Sequence, residues 1–542
     1  MTTIEYLALP TYKRFLYKFL SFFMLIPHAI VRLFAKIIPT FFIKCWNKIK
    51  AFFVNLANTF IDGDAKTKTS FFIMGFGQLT RKNYFRGSIN LFYQIFYIIF
   101  FIFIGLPALM DLPTFGQIAQ SSYIDADLGI EISVFVDDSF LILLNCVITA
   151  ILTGVLIFLW LGQLADSIYL QNLNGIGKKI TDKDAIRELT GKNYHKVLLA
   201  FPTFGLVLFT IIPLIFSVIV AFTNYSSTYQ SPKELFDWVG MYNFQKVFGL
   251  SSGGHEFTVV FGQILLWTLI WAFFATFTNY FLGMFIALLI NKKGIKFKKL
   301  WRTVLITTIA VPQFISLLFM SQLLKTDSGA LNYVLRQFGL ISENIKFLED
   351  GLIAKITIII VNMWIGIPYT MLMCSGLLMN IPKDLYESAK IDGAKPAKMY
   401  MKITLPYMLF VTGPYLISQF VGNINNFNVI FLLTGGNPVY TNVNGIPLKT
   451  DVFGAGQTDL LITWLYKMSM TQVNKDYGVS AVISILVFVL VAALSLIFYN
   501  KTNAVKNEGD FQWNMICSTQ NIVVIKNLKK MQVIYLSTSF LQ

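Results

Sequence analysis

Charge is scarce in this chain. Only 13% of its 542 residues are Asp, Glu, Lys or Arg, 55% are hydrophobic, and mean hydropathy is +0.62. A soluble fold of this length does not combine so much apolar surface with so few charges. Cysteine and histidine are scarcer still. Cys45, Cys146, Cys374 and Cys517 stand far apart with no C-x-x-C pair, and His28, His195 and His255 are equally scattered. This excludes a disulfide framework and a zinc site, so no metal and no cofactor is expected. A G-x-x-x-x-G-K-[ST] loop is also missing, because Gly175-Ile-Gly-Lys-Lys has neither the spacing nor the hydroxyl residue. The chain therefore cannot hydrolyse ATP through a P-loop of its own. H-E-x-x-H and G-x-S-x-G are absent, and no cluster of Asp, Glu or His falls inside an apolar run. Buried ionisable groups mark proton relays and ion-coupled pumps. Their absence points to a pathway powered from elsewhere.

What the chain has is long apolar runs. Eight of them, roughly 89–110, 139–161, 196–222, 262–290, 301–325, 352–379, 408–433 and 477–500, are long enough to cross a bilayer as helices. They are continuous rather than alternating, which favours helices over a barrel. The net charge of +16 is spread over alternate loops, as topology signals are, and no basic-aromatic soluble module is present to hold nucleic acid. Segment 1–88 carries 13 Lys/Arg against three acids, whereas 111–138 has six acids and no basic residue. Loop 291–300 has five Lys and no acid; loop 380–407 has five Lys against three acids. Positive-inside logic places both termini, 162–195, 291–300 and 380–407 in the cytoplasm of a multi-pass plasma-membrane protein.

The ends of the chain read differently. The N-terminal apolar residues are broken by Lys and Arg, which is no cleavable signal peptide. Basic pairs at Arg14/Lys18, Arg32/Lys36 and Lys44/Lys48 within 12–60 predict interfacial helices on anionic lipid rather than a further span. From about Gln512 the pattern is lost, and the last residues read as a tail.

The most informative stretch is polar and lies between two apolar runs, from Tyr386 to Pro406. Pro382 suits the first turn of a helix, with Asp384 and Glu387 near its positive end. Gly393 is placed as a left-handed C-terminal cap, and Pro396 can start a second helix towards Pro406. Small residues at Ser388, Ala389, Gly393 and Ala394 allow close approach of a partner, and Glu387 and Asp392 offer it carboxylates. The residues alone leave open a loop helix lying on lipid head groups.

The pattern Glu387-Ser-Ala-Lys-Ile-Asp392-Gly393-Ala, with Ile403-Thr-Leu-Pro406 downstream, resembles the E-A-A-x-x-x-G loop of ABC importer permeases. Its one departure is Ser388 where Ala is usual. Val361-Asn-Met-Trp-Ile-Gly-Ile-Pro-Tyr369, the run from Asn423 to Pro438, and Thr458-Asp-Leu-Leu-Ile-Thr-Trp-Leu-Tyr466 resemble the larger permease subunit of maltose/maltodextrin importers. The resemblance covers about 196 to 500, and loop 223–261 is short, as in Gram-positive relatives.

The resemblance implies an all-α polytopic membrane protein with eight transmembrane helices: a six-helix type I permease core and two N-terminal spans. The domains expected are basic interfacial helices over 1–88, two extra spans and a cytoplasmic loop over 89–195, a core over 196–505 with its coupling loop at 380–407, and a tail over 506–542. The partners implied are a second homologous permease, ABC ATPase subunits, a lipid-anchored extracytoplasmic sugar-binding protein, membrane lipid and a malto-oligosaccharide. Glu387, Ser388, Ala389, Asp392, Gly393 and Ala394 would dock the ATPase subunit.

A sugar path also needs hydrogen-bonding groups inside the membrane. Asn362, Gly366 and Tyr369 share one face of a helix, and Asn423 and Asn426 share another. Amides suit sugar hydroxyls and rings suit the apolar face of a pyranose, although Asn also bonds helix to helix. For Asn425 and Asn428 the interhelical role is the one expected. By the resemblance, the sugar-contacting positions are Gln313, Asn362, Ile365, Gly366, Tyr369, Asn423 and Asn426. Ile309 and Gly422 stand where that subunit presents aromatics. Two rivals remain at this point: a permease of the same fold for another oligosaccharide or small polar solute, and a membrane-embedded glycosyl-transferring enzyme. The second needs acidic residues bordering the spans, and no such cluster is present.

Overall fold

The computed structural model describes residues 50–501, except 52, 118–120, 125–128, 130, 135–136, 178–181, 192, 231–233, 251–253, 293, 444–445 and 449–451. Most of the basic stretch 12–60 and the tail 506–542 lie outside the described residues.

Among the described residues, six helices are long and apolar enough to cross a membrane: Tyr84–Asp111, Ser139–Gly175, Tyr194–Val220, His255–Asn291, Gly351–Leu378 and Tyr477–Ile497. Two bent pairs, Lys298–Ala310 with Gln313–Leu323 and Pro396–Ile424 with Phe427–Leu433, bring the number to eight when each counts as one span. These fall at the eight expected positions.

The bends correct the expectation of unbroken helices over 301–325 and 408–433. The first pair turns by 89°. Proline supplies no N–H and disfavours helical backbone in the residue before it, and Val311, before Pro312, is extended at φ −80°, ψ 125°. The second pair bends by 41° at Asn425, and Asn426 then caps the next helix by accepting the Val429 N–H at 3.3 Å.

Other prolines are absorbed without a break: Pro202, Pro368 and Pro414 lie inside helices, and three more follow widened turns. Five-residue π-helical turns at Phe101–Gly105, Val207–Ile211 and Tyr400–Thr404 each end two residues before a proline, at Pro107, Pro213 and Pro406. The carbonyl that a proline ring would strike, four residues back, lies in the middle of each wide turn. As a result the helix beginning at Pro396 runs on into the span, which starts at 396 rather than 408. Two short antiparallel hairpins, Ser121–Ile124 with Glu131–Val134 and Asn442–Val443 with Ile446–Pro447, add strands that the hydropathy pattern does not announce.

Contacts divide the chain into two compact units, one within Met1–Met110 and Leu144–Ile212, the other within Asp111–Leu143 and Pro213–Gln542. In the first, segment 64–83 is held to residues 160–171 by polar groups rather than by apolar packing alone. Arg81, its side chain only 2% exposed, pairs with Asp64 at 2.6 Å. The Asp64 N–H and the Thr67 hydroxyl both donate to Gln171 Oε1 at 2.9 Å, and Gln163 Nε2 donates to Ser70 O at 2.7 Å. Burial works to raise the Asp64 pKa, but the Thr67 N–H and the Arg81 guanidinium outweigh it and hold the carboxyl below its usual range.

In the second unit, helices Gly254–Asn291 and Gly351–Leu378 pack along their length, closely enough that Gly283 abuts Thr370. Trp267 and Trp271 are buried with their N–H groups satisfied, donating to Thr458 O and Asn423 O at 3.1 Å each. Tyr280 and Thr412 share a buried hydroxyl–hydroxyl bond of 2.7 Å. The loop after Leu433 closes on a buried ion pair. Asp459 accepts Lys467 Nζ at 2.7 Å, the Gly456 N–H at 2.7 Å and the Thr463 hydroxyl at 2.9 Å.

Candidate functional site

The polar insert folds as helix, bend, helix. Lys383–Ile391 has Asp384 in its first turn and Lys390 in its last, signs that suit the helix dipole. It ends in a left-handed residue, Gly393 at φ +69°, while the Ala394 N–H closes back to Ala389 O at 2.9 Å. Any side chain at 393 would be strained in that conformation. The insert is fastened at its base: Ile381 and Ile403 are buried, and Tyr386 Oη bonds Thr404 Oγ1 at 2.8 Å. Burial pushes the Tyr386 phenol above its usual pKa, against the lowering effect of the Thr404 bond, so it stays protonated near neutrality.

Its outer surface is open. Glu387, Ser388, Asp392 and Gly393 are exposed, Ala389 and Ala394 are half-buried, and Ile391 is 87% exposed. Among the described residues, Glu387 and Asp392 make no ion pair. Four of the six positions named for docking are therefore exposed and two half-buried, on a helix and bend whose surface also carries the exposed Ile391. Ile391 is a part of that surface the sequence motif did not single out.

The second group of candidates converges on one cavity of about 500 Å³. Gln313, Asn362, Ile365, Gly366, Tyr369, Asn423 and Asn426 all line it, as do Ile309 and Gly422. The local reasons differ. Asn362, Gly366 and Tyr369 arrive by the shared face of an unbroken helix, whereas Gln313 is the first residue after the 89° bend. Asn423 and Asn426 do not share a helical face, because the helix stops at Ile424 and restarts at Phe427. Asn423 reaches the cavity from the end of the first helix, and Asn426 from just past the break. Asn425 and Asn428 are exposed, do not line it and make no side-chain hydrogen bond among the described residues, so the interhelical role expected for them is not seen.

Asn423 is partly committed to the scaffold. Its Nδ2 donates to Thr276 Oγ1 at 2.9 Å, and its Oδ1 accepts Asn426 Nδ2 at 3.3 Å. One N–H and one lone pair are left over for a ligand. The cavity also takes in residues that the motifs did not reveal: Thr276 and Asn279, Trp364, and Tyr415 and Gln419. A signal existed for some of these. Tyr415, Gln419 and Asn423 recur every four residues, which prolongs the Asn423 face up the helix. Among the described residues, no charged side chain lines the cavity.

Comparison with known proteins agrees with this geometry. The family described as the inner membrane component of binding-protein-dependent transport systems matches residues 279–503, which include the insert and most of the cavity wall. The maltodextrin transport system permease protein MalC of Streptococcus pneumoniae is 32% identical over 443 residues, 80% of this chain and 94% of its own. The galactooligosaccharides transport system permease protein GanP of Bacillus subtilis is 30% identical over 440 residues, 81% of this chain and 97% of its own. The maltose/maltodextrin transport system permease protein MalF of Escherichia coli is 35% identical over 259 residues, 48% of each chain. With eight spans and this likeness over nearly the full length of its relatives, the chain belongs to the inner membrane permease family of binding-protein-dependent ABC importers.

Proposed function

We propose that this chain forms the sugar path of an ATP-driven importer for maltodextrin-type oligosaccharides, and that its 380–407 loop is the lever on which the ATPase subunits act. One observation carries the cargo reading: the cavity is lined by amides, hydroxyls and aromatic rings and by no charged side chain. Such a wall suits a neutral polyhydroxylated solute, and it leaves the phosphate of a glycerol phosphate without a cation. A volume of about 500 Å³ lies within the roughly 300–1,000 Å³ usual for small-ligand sites. The relatives named for maltodextrins and galactooligosaccharides support the same class. Ile309 and Gly422 lack rings, but the aromatic residues Trp364 and Tyr415 line the same cavity.

Permeases of this family do no bond chemistry, and ATP is hydrolysed by a partner subunit. In the proposed assembly the core is 196–505, paired with a second homologous permease, and a lipid-anchored binding protein delivers sugar from outside. Both termini and the 380–407 loop face the cytoplasm. Closure of the ATPase subunits moves the loop, and the span continuous with it from Pro396 carries that motion to Asn423 at the cavity wall.

Replacing Asn423 with Leu tests the cargo side. Uptake by the reconstituted transporter is expected to fall by about tenfold or more, the cost of removing a hydrogen-bonding group from a polar site, while the partner subunits still co-purify. Loss of co-purification instead would make Asn423 an interhelical tie to Thr276 and remove it from the path.

A further inference from the structure

A second groove, of about 780 Å³, opens at the base of the insert. Helix Gly254–Asn291 ends on it, and Phe285, Leu288, Leu289, Leu378 and Met399 give it an apolar wall. Phe285 and Leu289 are 56% and 43% exposed, so this wall is open rather than packed. The polar groups of the groove fall into two sets. Asn291 and the Tyr386–Thr404 pair are spent within the chain: Asn291 Oδ1 accepts from Arg302 Nη2, its Nδ2 donates to Ser375 Oγ at 3.3 Å, and Tyr386 bonds Thr404 as described above. Lys292 and Lys390 are not spent. Both line the groove and both are exposed, and among the described residues neither side chain makes an ion pair or a hydrogen bond. Among those residues no acidic side chain lines the groove with them. An apolar wall beside two unpaired ammonium groups is the complement of an amphiphile with an anionic head. A free anion would use the cations and leave the wall in water, and a lipid without net charge would leave the cations unmatched. The position fits as well. Lys292 directly follows the apolar span and opens the basic loop 291–300, the depth at which lipid head groups lie. The groove is also distinct from the docking side of the insert. Tyr386 and Lys390, four residues apart on one helical face, line it, whereas Glu387, Ser388 and Ile391 do not.

We propose that this groove binds an anionic phospholipid of the cytoplasmic leaflet, of the phosphatidylglycerol type, with its phosphate held by Lys292 and Lys390 and an acyl chain laid along the apolar wall. The lipid occupies the space between the inner face of the insert and the ends of helices Gly254–Asn291 and Gly351–Leu378. The two lysines are then neutralised, and the insert moves against a bound lipid rather than against open solvent. This rests on the cytoplasmic placement of loop 380–407 proposed above, but not on the identity of the cargo.

The test uses the complete transporter in phosphatidylcholine vesicles doped with a photoreactive phosphatidylglycerol or with a photoreactive phosphatidylcholine of the same chains. Labelled peptides are located by mass spectrometry. Within 285–292 and 396–404 the anionic probe is expected to label the wild type about tenfold or more above the zwitterionic one, because each lysine is worth roughly fivefold at an anionic lipid surface. The double variant Lys292→Gln, Lys390→Gln is expected to label equally with both probes, and excess inorganic phosphate is expected not to compete in the wild type. Equal labelling of the wild type by the two probes, or an unchanged preference in the variant, would overturn the proposal. Competition by inorganic phosphate would overturn it by making the ligand a free anion, and loss of the ATPase subunits from the variant would do so by assigning the lysines to the ATPase seat. The docking reading fails separately: if Glu387→Lys keeps its ATPase subunits, docking at this loop falls, while the lipid site is still decided by the labelling.

Discussion

Glu387→Lys abolishes coupled uptake: vesicles carrying the variant hold sugar at the level of ATP-free controls. The argument starts from exposure. Glu387 lies on an open surface and makes no ion pair among the described residues, so its loss costs the fold little. Against a partner with basic groups, the reversed charge turns attraction into repulsion. Like charges facing each other across an interface cost several kcal/mol, and even about 2 kcal/mol weakens docking roughly thirtyfold. The ATPase subunits are accordingly expected to be lost on affinity purification through this chain. Glu387→Gln keeps the shape without the charge and should fall between the two. Full retention of the ATPase together with normal uptake in Glu387→Lys would refute docking at this loop.

The second large effect concerns Lys467. Its partner Asp459 is fully buried, and Lys467 itself is only 13% exposed. Burial drives the Asp459 pKa up, while Lys467, the Gly456 N–H and the Thr463 hydroxyl pull it down, and burial prevails. Lys467→Met leaves a carboxylate buried without its cation, a loss of roughly 3–5 kcal/mol in comparable pairs. The sign with pH follows from the raised pKa. A carboxyl that holds its proton more tightly when folded favours the folded state at low pH, and that contribution is lost as pH rises through the folded value. Without Lys467 the value rises further. The deficit of the variant should therefore be larger at pH 7.5 than at pH 5, read by the unfolding temperature and by protease cleavage within 434–476. Asp459→Asn added to Lys467→Met should recover part of the loss. A deficit independent of pH would show that lost packing by the lysine stem, not the stranded charge, is responsible.

Much of this architecture was legible in the residues. Long uninterrupted apolar runs admit few folds, so the eight spans could be placed by composition and length. The insert was equally readable, because each of its marks has a local cause: Asp384 at a helix start, Gly393 where the backbone must turn left-handed, and Pro396 at a second start. What hydropathy could not show was how prolines act inside apolar runs. Pro312 breaks a helix by 89°, whereas Pro107, Pro213 and Pro406 pass through wide π turns.

The same limit separates the cavity residues. Asn362, Gly366 and Tyr369 follow helical spacing on an unbroken helix and were found by it. Asn423 and Asn426 were found by spacing too, but Asn426 lies beyond a break that the spacing did not include. Asn279 stands in an apolar run with nothing in its neighbourhood to mark it. It packs against Gly366, 87 positions later in the chain, and only the helix crossing brings the two together.

The most direct test of the central claim is uptake of radiolabelled maltodextrin into proteoliposomes containing this chain, its permease partner, the ATPase and the binding protein. The account predicts saturable accumulation of unmodified sugar that requires ATP, the binding protein and this chain together. Accumulation without the ATPase, chemical conversion of the sugar, or no accumulation with all four present would contradict it.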